Sequence, residues 1–142
     1  MATLTSDLRS YLLAFAPISA IVGPRIRPRK LEQGETLPAI RINLITGQHE
    51  QNLAAKSTLA HSTVQIDCYA ATSEAADDLA ELVYQRLQGH RGTLSTVYAS
   101  GISAASNIRQ FEEPVDDGGA TWRYGSSRDY VVSYQHATEI PN

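Results

Sequence analysis

The stretch Ser62-Thr-Val-Gln-Ile-Asp-Cys-Tyr-Ala-Ala-Thr-Ser73 runs directly into Glu74-Ala-Ala-Asp-Asp-Leu-Ala-Glu-Leu-Val-Tyr-Gln-Arg-Leu87, and the change of period between them decides the fold. In the first half Val64, Ile66, Cys68 and Ala70 share one parity, and Thr63, Gln65, Asp67 and Tyr69 the other. That is the period of a half-buried strand. In the second half Ala76, Leu79, Ala80, Val83 and Leu87 fall on one helical stripe. Thr72 or Ser73 caps this helix, Glu74, Asp77 and Asp78 suit its positive end, Arg86 suits its negative end, and Gly89 stops it. A strand handed to its own amphipathic helix needs partner strands and a sheet face, which the rest of the chain must supply.

Upstream, Leu8, Tyr11, Leu12 and Phe15 make an apolar stripe that predicts a first helix over 5–16. Asp7 lies near the positive end of its dipole. Pro17 lies where that helix should stop, and 18–22 has room for one more short turn, closed by Gly23 and Pro24. Arg25-Ile-Arg-Pro-Arg-Lys30 is the most basic run. Ile26 fits a short edge strand, and Pro28 forbids a central one. A charged edge that discourages wrong pairing is the preferred reading over a nucleic-acid patch. Residues 38–47 read as a strand, with Ile40, Ile42 and Leu44 facing one way and Arg41 and Asn43 the other. Residues 48–57 connect it to the strand at 62 as a long hairpin loop, and long loops often carry function.

Downstream, 93–106 is small and polar and has no clear period. A strand is expected from about 103 or 107 to 113. Pro114-Val-Asp-Asp-Gly-Gly119 is a strong turn signal. Trp122 to His136 reads as one long strand, with a bulge or bend at Gly125 and Ser126. The last residues, 137–142, are expected to fray. The expectation is one domain over 1–142 and an α+β fold: a single, mostly antiparallel β-sheet with two amphipathic helices packed on one face.

A chain of 142 residues with 42% hydrophobic and 19% charged residues can bury a core without staples. A net charge of −3 argues against binding nucleic acid through the overall field. The single cysteine, Cys68, sits at an apolar strand position and reads as a buried hydrophobe. No run is long enough to span a membrane, and the N-terminus shows no secretory pattern. None of the histidines, His49, His61, His90 and His136, has metal-ligand spacing. No phosphate-binding glycine loop or nucleophile elbow is present. Glu112-Glu113 and Asp116-Asp117 are adjacent pairs whose side chains diverge on a strand, so neither makes a paired acid/base site. The residues therefore point to no catalysis, cofactor or metal. Tyr69, Tyr98, Tyr124, Tyr130 and Trp122 exceed what two helices cover, and aromatics left exposed suit protein interfaces.

The order of these features resembles the tail-completion, or tail-terminator, proteins of long-tailed bacteriophages and prophages. The resemblance covers residues 8–134. It rests on Ala20-Ile-Val-Gly23, on Leu37-Pro-Ala-Ile40 entering a strand, on Val64-Gln-Ile-Asp-Cys-Tyr-Ala70 before an Ala-rich helix, and on Phe111-Glu-Glu-Pro114 before Arg128-Asp-Tyr-Val-Val-Ser-Tyr134. The chain departs from the pattern at 93–106, which is longer and more polar, and at Arg128, where an apolar residue is commoner. The resemblance implies a structural virion protein, assembled in the host cytoplasm, that forms a homo-oligomeric ring, typically a hexamer, on the head-proximal end of the tail tube. Its partners would be the tail tube protein and head–tail connector proteins, with DNA passing through the lumen without sequence readout.

A ring needs two different patches to meet. Arg25, Arg27, Arg29 and Lys30, with His49, Gln51, Asn52 and Lys56 of the long loop, are candidates for one side. Asp77, Asp78 and Glu81 are candidates for the other, and Asp67 and Tyr69 are also expected to be free. Two alternatives stand beside this reading: another neck or head–tail joining protein, and a small ligand-binding or catalytic α+β domain. The last predicts an enclosed polar pocket with perturbed titratable groups.

Overall fold

A computed structural model describes residues 4–28, 36–49, 59–115 and 122–135. Two short helices open the chain, α1 (Leu4–Leu13) and α2 (Ala16–Val22). Strands β1 (Ile26–Arg27), β2 (Ala39–His49) and β3 (Leu59–Ala70) follow, then α3 (Ser73–Leu87). The chain continues through β4 (Gly92–Thr93), β5 (Tyr98–Ala104), β6 (Arg109–Pro114) and β7 (Trp122–Gln135). The sheet order is β1-β2-β3-β7-β5-β4, with β6 also on β7. Among the described residues only β1 and β2 pair in parallel; the other pairings are antiparallel. The fold is α+β.

The strand-to-helix handover at 62–87 is present as read. Val64, Ile66, Cys68 and Ala70 are buried, and so are Ala76, Leu79, Ala80, Val83 and Leu87. The Thr72 hydroxyl accepts from the Ala75 amide at 3.1 Å and caps α3. Gly89, at φ +78°, turns the chain away from the helix and donates its N–H to Ile102 O at 2.8 Å. Leu8 and Leu12 of α1, Ile18 and Val22 of α2, and the α3 stripe share one core with Ile40, Ile42, Ile66, Tyr130 and Val132. Arg86 reaches across to the Tyr11 carbonyl through Nε at 3.1 Å and Nη2 at 2.9 Å, satisfying an acceptor at the end of α1.

Several expectations are corrected. The chain has a third helix, because Pro17 starts α2 rather than merely ending α1: its fixed φ suits the first helical turn. Residues 93–106 hold the end of β4 and the whole of β5, and β5 is a strand separate from β6. Period-2 reading fails there because the β5–β7 register shifts between Ala99 and Gly101, so the buried Ala99 and Ile102 fall three residues apart and not on one parity. The long strand β7 has no bulge at Gly125; its register with β3 is unbroken from Tyr124 to Gln135. A glycine is required because the Phe111 ring of β6 lies over it, and a Cβ there would sit 2.6 Å from ring carbons Cε1 and Cε2. Leu44 faces the same way as Ile40 and Ile42, opposite Val64 as they lie opposite Cys68 and Ile66, but it is 49% exposed, next to Ile45 at 45% where the register shifts before Thr46.

The hairpin expected from the turn signal is seen in the β6–β7 register, which ends at Pro114 opposite Trp122. The turn residues themselves, the 137–142 tail and most of the 48–57 loop lie outside the described residues.

Candidate functional site

The sheet has two faces of different chemistry. The face under the helices is mostly apolar, with Ser126 and Arg128 of β7 as exceptions. The opposite face carries Arg41, Gln65, Asp67, Tyr69, Arg123, Ser127 and Asp129, which the registers place on one side. These side chains are largely paired with one another. Asp67 is fully buried and accepts from Arg41 through Nε at 2.8 Å and through Nη2, and from Gln65 Nε2 at 2.9 Å. Burial works against the Arg41 charge, but Asp67, with smaller help from Tyr69 and Glu113, outweighs it and holds the guanidinium pKa above its ordinary value. Arg109 pairs with Asp129 at 3.0 Å, and Arg123 with Glu113 at 2.7 Å. Tyr69 is 3% exposed, edge-on to Phe111 at 5.5 Å, with the Arg123 guanidinium 5.0 Å from its ring centre.

Asp67 and Tyr69 are therefore interior residues, and the expectation that they stand free is overturned. Strand parity told which face they occupy. It did not show that Arg41, Phe111 and Arg123 would close over them. Among the aromatics, Tyr130 is also buried, while Tyr98 and Trp122 remain exposed at 38% and 46%.

The other candidates separate in the same way. Arg25 donates from Nε to Pro38 O at 2.9 Å and from Nη2 to Ile21 O at 3.2 Å, so it ties α2 to the start of β2. Arg27 lies on β1, is half-buried and has an intramolecular partner. Arg29, Lys30, Gln51, Asn52 and Lys56 lie outside the described residues. The His49 backbone lies in β2 opposite Ala60. Asp77 faces the sheet, where it accepts from Ser126 Oγ and from Gln110 Nε2 at 2.7 Å, joining α3 to β7 and β6. Asp78 and Glu81 point to solvent. Sequence reading missed Leu44 and Ile45, the exposed apolar pair at the bulge; no local signal separated Leu44 from the buried Ile40 and Ile42.

Little in this arrangement resembles a catalytic centre. Burial pushes the Cys68 thiol well up, with Asp67 adding to the shift and Arg128 opposing it, which makes a thiolate unfavourable. Burial likewise raises Tyr69 and Tyr130 to about 12. None of Arg41, Cys68, Tyr69 and Tyr130 lines the clefts of about 420, 300 and 230 Å³ on the surface. Among the described residues there is no cluster able to hold a metal ion, and no helix is long and apolar enough to cross a membrane. A sheet with one mostly apolar face under helices, one internally paired polar face and exposed apolar side chains near a hairpin defines a small α+β protein.

The sequence matches the model of the tail completion protein gp17 family over residues 6–117, more than half of the chain. The chain belongs to that family, and its role is structural, in the tail of a phage or phage-like particle. No curated protein sequence is significantly similar to it. Among solved structures, a chain from the virion of a native gene transfer agent particle has the same fold, with a TM-score of 0.60 at 17% identity. The match covers 92% of this chain and 94% of that one.

Proposed function

We propose that this chain is a tail terminator: one domain over 1–142 that closes by self-association into a ring, as a hexamer, on the head-proximal end of the tail tube. The ring stops tube polymerisation and presents a new surface to the head–tail connector, and DNA passes through its lumen. Assembly takes place in the host cytoplasm. The observation that carries this reading is the family match over residues 6–117. The surface is compatible with it. A ring brings one patch of each copy against a different patch of the next. Leu44 and Ile45 beside the β2–β3 hairpin supply an apolar patch of the kind interfaces bury. Asp78 and Glu81 on α3 and the basic edge around Arg27 supply opposite charges, which set register more than affinity.

Removing the gene from a particle-producing strain should yield overlong, headless tails by electron microscopy. Tails of normal length in that strain, joined or not to heads, would reject termination and favour another neck protein.

A further inference from the structure

Arg128 occupies a break in the sheet. On the side of β7 away from β3, the last β5 pair is Ala104 with Tyr130, and the first β6 pair is Arg109 with Ser127. Between them residues 105–108 leave the strand line, tethered by Ala105 N to Asp129 O at 2.8 Å and by Asp129 N to Ser106 Oγ at 3.0 Å. A cleft of about 420 Å³ opens there, lined by Tyr84, 104–107 and Arg128. That is room for on the order of ten waters or the tip of a side chain.

Register puts Arg128 opposite Ile66, on the face under the helices. Its guanidinium lies 4.4 Å from the centre of the Tyr84 ring on α3. Nε and Nη1 are buried and have no hydrogen-bond partner among the described residues. A guanidinium cannot lose its proton, so it cannot escape by neutralising. The neighbouring Tyr130 hydroxyl interacts with the guanidinium as a hydrogen-bond partner, but burial keeps it neutral, so it supplies no anion. The nearby carboxylates are committed elsewhere, Asp77 to Ser126 and Gln110, and Asp129 to Arg109 on the opposite face. A half-desolvated cation without an anion is costly, and a planar guanidinium is shaped to take a carboxylate through two parallel bonds.

We propose that the cleft at the β5–β6 break is a carboxylate-binding site centred on Arg128, and that its occupant is an acidic side chain of a second copy of this chain. The choice of occupant rests on the self-assembly reading above. The cleft is open and polar, unlike the enclosing, mostly apolar cavities that hold free small ligands. An acid carried on a protein surface is held there by the interface around it. The chain itself displays Glu74, Asp78 and Glu112, exposed and without an intrachain partner among the described residues.

Two measurements on the full chain test the proposal. The first is an NMR titration with sodium glutarate against sodium chloride at equal ionic strength. Saturable shifts of the Arg128 Nε–H and of the Ser106 and Asn107 amides are expected, and Arg128→Gln should abolish them. No saturable shift overturns the carboxylate site. The second is sedimentation across concentration for the wild type, for Arg128→Glu, and for a variant carrying Glu74→Gln, Asp78→Asn and Glu112→Gln. Both variants should weaken self-association by about tenfold or more while keeping a folded spectrum. Wild-type assembly that both variants match overturns the second copy as occupant and leaves self-assembly standing. Glutarate binding in a chain that never self-associates overturns the occupant together with the self-assembly reading.

Discussion

Asp7 gives the sharpest test of how the fold is held. Its position near the start of α1 suits a helix dipole, a role worth about 0.3–1 kcal/mol. In the structure it is 2% exposed and accepts from Val97 N at 2.6 Å, Thr96 N at 2.7 Å, Thr96 Oγ1 at 3.0 Å and Ser95 N at 3.3 Å. The carboxylate therefore fastens the β4–β5 connection to α1. Asp7→Ala strands the buried Val97 amide and partly strands that of Thr96, which water can reach. Each lost bond to a charged group costs about 1.5–3 kcal/mol, so a total of about 2–4 kcal/mol is expected. In a domain of this size that is a fall in Tm on the order of 10 °C. Asp7→Asn keeps one acceptor and should lose about half as much. The assay is urea unfolding with hydrogen exchange: the Thr96 and Val97 amides should lose protection while amides in α3 keep theirs. A loss under about 1 kcal/mol for Asp7→Ala would return Asp7 to a dipole role and refute the bridging one.

Three further outcomes follow from the same geometry. Gly125→Ala should destabilise by about 1–3 kcal/mol through overlap with Phe111, and pairing it with Phe111→Leu should recover part of that loss in a double-mutant cycle; additive losses would contradict the contact. Asp67→Ala should cost about 1.5–3 kcal/mol by chemical denaturation, since it removes the acceptor of both Arg41 and Gln65. Arg41→Gln should cost less, because Arg41 is itself part-exposed. For pH, Tyr69 and Tyr130 have folded pKa values of about 12 against an ordinary 10, so their neutral forms favour the folded state. Their contribution is full below pH 10 and is lost as pH rises through 12, at up to about 1.4 kcal/mol per unit for each. Tyr130→Phe should flatten that slope in urea titrations between pH 9 and 11.5, and an unchanged slope would count against burial of the phenol.

For the candidate residues, the sequence placed each on its element but did not show which side chains are engaged within the chain. Asp77, Asp78 and Glu81 share one helix, yet Asp77 turns to Ser126 and Gln110 while Asp78 and Glu81 face water. Arg25 looked like part of a basic patch and instead satisfies the carbonyls of Pro38 and Ile21. Polar side chains are ambiguous in sequence because burial is acceptable to them whenever a partner is near, and partners distant in the chain leave no periodic mark.

The sequence by itself determined the strand-to-helix handover at 62–87, a cap at Thr72 or Ser73, the edge strand before Pro28 and the hairpin before β7. Each is set by side chains within a few residues of one another, through period, capping and fixed φ. Only the tertiary structure decided that β7 lies between β3 and the β5–β6 pair, that Phe111 needs a glycine at 125, and that Asp7 serves residues some ninety positions away. It also decided that Arg128 lies under α3 beside a gap. Those outcomes depend on which strands meet, and strand meeting is governed by burial summed over the whole sheet.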